Sequence, residues 1–161
     1  MTELSQSSSP DPNLRTSALF IALVLVGGTA IGLLSAPGAW YAALEKPAFN
    51  PPNWIFAPVW TALYVLIGLA GARVWGAGPN TWAMKLWWLQ LALNFAWSPI
   101  FFQLHSAVLA LVIVAAMLAA IIAFIAASWR HDRKAALLFA PYAAWVSFAT
   151  LLNAAIVALN H

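Results

Sequence analysis

The sequence predicts an all-α membrane protein, a bundle of five transmembrane helices. Three observations predict it. First, 64% of the 161 residues are apolar and only 7% are charged, whereas a soluble domain carries about a quarter charged residues. Second, the apolar residues form runs long enough for about five crossings of hydrocarbon about 30 Å thick. Third, these runs are separated by turn-forming or charged breaks. The short alternating segments of a membrane β-barrel are missing. A soluble globular protein is excluded, and so is disorder beyond the N-terminus. Seven cations, with a net charge of +3, are too thinly spread for nucleic acid. With no cysteine there is no disulfide, thiolate nucleophile or iron–sulfur site.

The elements follow in order. Residues 1–14 (MTELSQSSSPDPNL) read as a disordered polar tail, and 15–161 as the membrane domain. The first span covers about 16–36 and ends at Pro37-Gly38. Residues 37–53 carry four of the ten prolines together with Trp40, Tyr41 and Phe49. Proline stiffens the backbone and lowers its ordering cost, so this stretch reads as a structured loop or lid. The second span covers about 54–75, and Gly76-Ala-Gly-Pro79-Asn80 turns the chain into a third, about 81–103. Leu104-His105-Ser106 is a shallow break before a fourth span, about 107–129. Arg130-His-Asp-Arg-Lys134 then precedes a fifth, about 134–159.

The cations orient the bundle. With five spans, Arg15, Arg73, Lys85, Arg130, Arg133 and Lys134 share one side, and Lys46 alone lies opposite. The positive-inside rule then places the N-terminus in the cytoplasm and the C-terminus outside for an inner-membrane protein. The same sequence is compatible with an outer membrane. Arg73, Lys85 and Lys134 read as snorkelling residues at span ends. Glu45, Lys46 and the His131-Asp132 pair read as solvated. No charged side chain lies at mid-span, which excludes ion coupling and proton relay. No histidines stand at metal-ligand spacing, so no metal site is expected. No conventional catalytic group is present, and no resident cofactor is required.

The ten tryptophans divide by position. Trp40, Trp54, Trp75, Trp82 and Trp129 lie at span ends, as interfacial anchors do. Trp60, Trp87, Trp88, Trp97 and Trp145 lie within spans, where an indole N–H needs an acceptor. In the third span Trp87, Gln90, Asn94 and Trp97 form one helical stripe. In the fifth, Tyr142, Trp145, Ala149 and Asn153 form another, and Trp60 and Tyr64 stand one turn apart in the second. Two readings fit: interhelical hydrogen bonding that satisfies amides in hydrocarbon, or the lining of a pocket for a flat, apolar ligand. Pro58, Pro99 and Pro141 suit ordinary kinks or a cavity between helices. Gly28-x3-Gly32 and alanines at 115, 119, 123 and 127 suit close helix packing, within one chain or between two.

Four ordered motifs carry a resemblance. They are Trp40-Tyr41-x3-Glu45-Lys46-Pro47-x3-Pro51-Pro52, Val59-Trp60-Thr61-x2-Tyr64, Asn94-x2-Trp97-Ser98-Pro99-x-Phe101-Phe102 and Pro141-Tyr142-x2-Trp145-x3-Ala149-Thr150-x2-Asn153. Together they resemble the tryptophan-rich sensory protein / translocator protein family (TspO/MBR, also called peripheral benzodiazepine receptor-like), over almost all of the chain after the tail. The resemblance implies a five-helix bundle, often a homodimer, that binds porphyrins of the protoporphyrin IX type and acts as a sensor or regulator. It places the pocket beneath the first loop, at Tyr41, Pro51, Trp60, Tyr64, Asn94, Trp97, Trp145 and Ala149. In some bacterial members the pair matching Trp60 and Trp145 supports light- and oxygen-dependent porphyrin breakdown. Passive translocation of porphyrin, lipid or sterol is the remaining family alternative. The sterol pattern L/V-x-Y-x-K/R is absent from the fifth span, since no Lys or Arg follows Tyr142.

Overall fold

A computed structural model describes residues 11–161. The described residues are helical throughout, joined by turns and short extended segments. Of the expected tail, residues 1–10 lie outside the described residues.

Helix α1 spans Leu14–Leu34 and begins where the Asn13 side chain accepts the Thr16 N–H, a cap that satisfies one of the four orphan donors of a helix start. Along α1 only Val24 and Gly28 are buried, so most of its circumference faces outward. Helix α2 (Ala39–Ala43) and a 3₁₀ turn (Asn53–Ile55) belong to the loop after α1. Helix α3 runs Phe56–Gly76, and α4, capped by Thr81, runs Trp82–Phe102. Helix α5, capped by Ser106, spans Ala107–Ser128. The last apolar run is two helices, α6 (Arg133–Leu138) and α7 (Ala140–Leu159), where one span from about 134 to 159 was expected. The break precedes Pro141, which lacks the N–H that a continuous helix needs and disfavours helical geometry in the residue before it.

Four helical stretches are long and apolar enough to cross a membrane: Leu14–Leu34, Asn53–Gly76, Ala107–Ser128 and Arg133–Leu159. Helix α4 has a similar length, 21 residues, but its tryptophans, Lys85, Gln90 and Asn94 make it more polar. Of the three prolines considered, only Pro99 lies in a helix interior. Pro58 and Pro141 lie in the first turns of α3 and α7, where the missing N–H has no intrahelical acceptor in any case. The hydropathically shallow break at 104–106 is a sharp structural one. His105 takes a left-handed φ of 51°, and Ser106 caps α5 by accepting the Leu109 N–H.

The close backbone pairs are α4 with α5, α1 with α3, and α5 with α7. Helix α5 is thus the shared neighbour of α4 and α7. Glycine sets the α1–α3 distance: a β-carbon at Gly68 would lie 2.6 Å from the Ile21 Cα. Gly28 likewise makes room for the Tyr64 ring, whereas Gly32 of the same GxxxG faces open space.

At the end of the bundle holding the α3 C-terminus, two charged residues depart from the sequence expectation. Arg73 does not snorkel, and Asp132 is not solvated. Their side chains are 11% and 8% exposed, with Arg73 Nε 3.0 Å from the Asp132 carboxylate. Asp132 also caps α6 by accepting the Ala135 N–H. Asp11, just ahead of α1, accepts Arg73 Nη1 at 2.6 Å. The Arg73 hydrogen bond and the Lys134 charge hold its carboxyl below the usual Asp range. These partners are 59 and 62 residues apart in sequence, so no local pattern marks them.

Gly68→Val tests the α1–α3 contact. Overpacking against a backbone typically costs about 1–3 kcal/mol, so denaturation in detergent should show a lower midpoint, while Gly32→Val should leave it unchanged.

Candidate functional site

The two in-span stripes converge on a hydrogen-bond network in the bundle interior. Tyr142 of α7 donates its hydroxyl to Gln90 Oε1 of α4 at 2.9 Å and accepts Asn94 Nδ2 at 2.8 Å. The Met117 sulfur of α5 lies 3.3 Å from the same hydroxyl. Gln90 Nε2 donates in turn to the Trp87 carbonyl, and Trp87 Nε1 to the Ile67 carbonyl of α3. One turn further along α4, Trp97 Nε1 donates to Asn153 Oδ1 at 3.2 Å, and Asn153 Nδ2 donates to the Ala107 carbonyl of α5. The amides that looked costly in hydrocarbon are therefore bonded across helices. Interhelical bonding accounts for Gln90, Asn94 and Asn153.

Trp145 is not bonded in this way. Its Nε1 is buried and has no acceptor. The ring lies 5.8 Å from Phe56 and 5.6 Å from Phe148. Such an orphan donor costs about 1–3 kcal/mol, and each one in a folded protein calls for an explanation.

The eight residues named from sequence fall into two linked groups. Trp60 contacts Tyr64 at 5.5 Å and Tyr142 at 6.3 Å, ring to ring. Through Tyr142 this group reaches Asn94, and Trp145 and Ala149 pack against the same core. The second group forms around Phe101 and Phe102. Tyr41 stands 6.1 and 5.3 Å from these rings, and Trp97 stacks on Phe101 at 5.1 Å. Pro51 is half-buried in the loop after α1. The most evident hollows lie elsewhere: an open groove of ≈ 590 Å³ beside Arg73 and a smaller one of ≈ 290 Å³ beside Trp40 and His105. None of the eight lines either. Between α3, α4 and α7 the protein's own rings occupy the space.

The first loop is tied down by groups that sequence reasoning left unused. Lys46 is not solvated: its Nζ donates to the carbonyls of Tyr41 and Leu44 and lies 4.5 Å above the Tyr41 ring. The Asn160 side chain clamps Glu45 at both backbone groups, with Oδ1 accepting its N–H and Nδ2 donating to its carbonyl, each at 2.9 Å. Burial pushes the Tyr41 phenol up from its ordinary value. Trp40 is more than an interfacial anchor, stacking on His105 at 4.8 Å. Tyr142, the hub, was visible in the fifth-span stripe, but spacing gave it no priority over Trp145. Asn160 carried no signal at all.

Comparison with known proteins fits this arrangement. The family model described as TspO/MBR family matches residues 20–159. The chain belongs to the TspO/MBR family. Within that family it is similar to Protein CrtK of Rhodobacter capsulatus, 37% identical over 145 residues, covering 88% of this chain and 89% of that protein. It is 44% identical over 123 residues to the tryptophan-rich protein TspO of Archaeoglobus fulgidus, covering 75% and 80%. Against the human translocator protein, identity is 39% over 127 residues, covering 76% and 75%. The match spans every helix from α2 to α7 and all but the start of α1, so this is a TspO/MBR membrane protein.

Tyr142→Phe isolates the network. It leaves Asn94 Nδ2 without its acceptor and Gln90 Oε1 without its donor. Interhelical hydrogen bonds in membranes are worth about 0.6 kcal/mol on average, so a loss of about 1 kcal/mol in reversible unfolding is expected. Tyr142→Phe combined with Gln90→Leu should recover part of it.

Proposed function

We propose that this TspO/MBR protein binds a tetrapyrrole of the protoporphyrin type within the membrane, acting as a sensor or regulator. The bundle crosses five times, through α1, α3, α4, α5 and the α6–α7 pair. The ligand lies among Tyr41, Pro51, Trp60, Tyr64, Asn94, Trp97, Trp145 and Ala149, beneath the loop that Lys46 and Asn160 hold. One observation carries this reading: the Trp145 Nε1 is buried without an acceptor among these aromatic residues. A ring-shaped ligand bearing acceptor groups would supply one. Its faces would stack on indoles and phenols in place of the rings now packed there. The absence of charged residues from the eight favours a large apolar ligand over an ion. No resident cofactor or metal enters this reading. The family resemblance supports a homodimer, and Ala115 and Ala119 of α5 face outward, which leaves small residues for a second copy. The N-terminus lies on the side bearing most of the cations, the cytoplasmic side of an inner membrane.

Protoporphyrin titration in detergent, followed by tryptophan quenching, tests the assignment. Aromatic contacts are worth about 0.5–1.5 kcal/mol beyond area burial, so Trp60→Phe with Trp145→Phe should weaken binding about tenfold. Equal affinity in the double variant would overturn the pocket.

A further inference from the structure

The groove of ≈ 590 Å³ lies at the opposite end of the bundle from the clamped loop. Leu66, Leu69, Leu138 and Pro141 form its wall, on the membrane-crossing stretches of α3 and the α6–α7 pair, and Arg73 and Lys134 stand at its rim. An apolar slot with two cations at its mouth has the form of a lipid site: chain along the wall, headgroup at the rim. The cations are held by a makeshift partner. A single oxygen of Asp11, Oδ1, is 2.6 Å from Arg73 Nη1 and 3.5 Å from Lys134 Nζ. The Asp11 side chain is 71% exposed. Asp132 does not relieve this sharing, because it meets Arg73 at Nε, not Nη1, and its Oδ1 also caps α6.

We propose that this groove binds one anionic phospholipid, whose phosphate takes the place of the Asp11 carboxylate between Arg73 and Lys134. A phosphodiester offers two unesterified oxygens, one for each cation, where Asp11 divides one oxygen between both. Guanidinium geometry also suits phosphate. The acyl chain covers the leucine wall, which the carboxylate leaves bare. The site lies on the cation-rich side of the bundle, where an anionic leaflet would meet it. It is separate from the aromatic interior and does not depend on tetrapyrrole binding. The segment ahead of α1 acts as an internal competitor for the same cations.

The test is native mass spectrometry of the full chain, released from micelles doped equally with dioleoylphosphatidylglycerol and dioleoylphosphatidylcholine. One phosphatidylglycerol should be retained in preference. Asp11→Asn, which removes the competitor, should raise its occupancy. Lys134→Gln should lower retention about fivefold, in line with one cation's worth of headgroup attraction. Arg73→Gln would strand the buried Asp132, so the two exposed rim positions are the informative ones. Equal retention of the two lipids, or unchanged retention in Lys134→Gln, would overturn the site. Displacement of the lipid by millimolar inorganic phosphate would overturn the lipid assignment by showing that the acyl chain contributes nothing.

Discussion

Inside a bilayer every amide, hydroxyl and indole must find its partner within the protein, because lipid offers none. This constraint organises the interior. Gln90, Asn94, Tyr142, Trp97 and Asn153 would each be costly alone. Joined, they tie α4 to α7, and Asn153 and Tyr142 extend the ties to α5. Trp87 adds the bond to α3. Four of the helices, α3, α4, α5 and α7, are thereby held in register by a handful of polar tips, while the apolar remainder supplies bulk.

The same constraint explains what was legible in the sequence. Amides and tryptophans at three- and four-residue spacing had to face inward, and the structure buries Trp87, Gln90 and Asn94 while Trp88 stays 43% exposed. The helical architecture was legible because apolar runs of span length leave few alternatives. Less legible were features that depend on tertiary proximity. Arg73 gave no local sign that Asp132 lay against it, so both looked solvent-facing. Lys46 seemed an ordinary loop cation, yet its ammonium is used on backbone carbonyls. The α6–α7 break was hidden because hydropathy continues smoothly across Phe139, although Pro141 marked it. The aromatic identity of the candidate site could be read, but its closed state could not. Spacing names the rings on a face, while only the fold shows that they fill the space between helices.

The two ends of the bundle solve different problems. At one end, Lys46 and Asn160 hold a proline-rich loop by its backbone, beside the packing of Trp40 and Tyr41 on His105, Phe101 and Phe102. At the other, Arg73 and Asp132 are half of an ionic lattice completed from ahead of α1. Removing one member of a buried ion pair is more damaging than the pair is stabilising, which gives the Arg73–Asp132 contact weight beyond its energy.

The position of α5 has a mechanical consequence. Its backbone packs closely against both α4 and α7, whereas those two reach each other through side-chain tips. Parting α4 from α7 breaks a few hydrogen bonds at Tyr142 and Asn153 but leaves the ridges packed on α5 undisturbed. The seam between α4 and α7 thus rests on polar tips, while each of the two helices keeps its own packed face on α5.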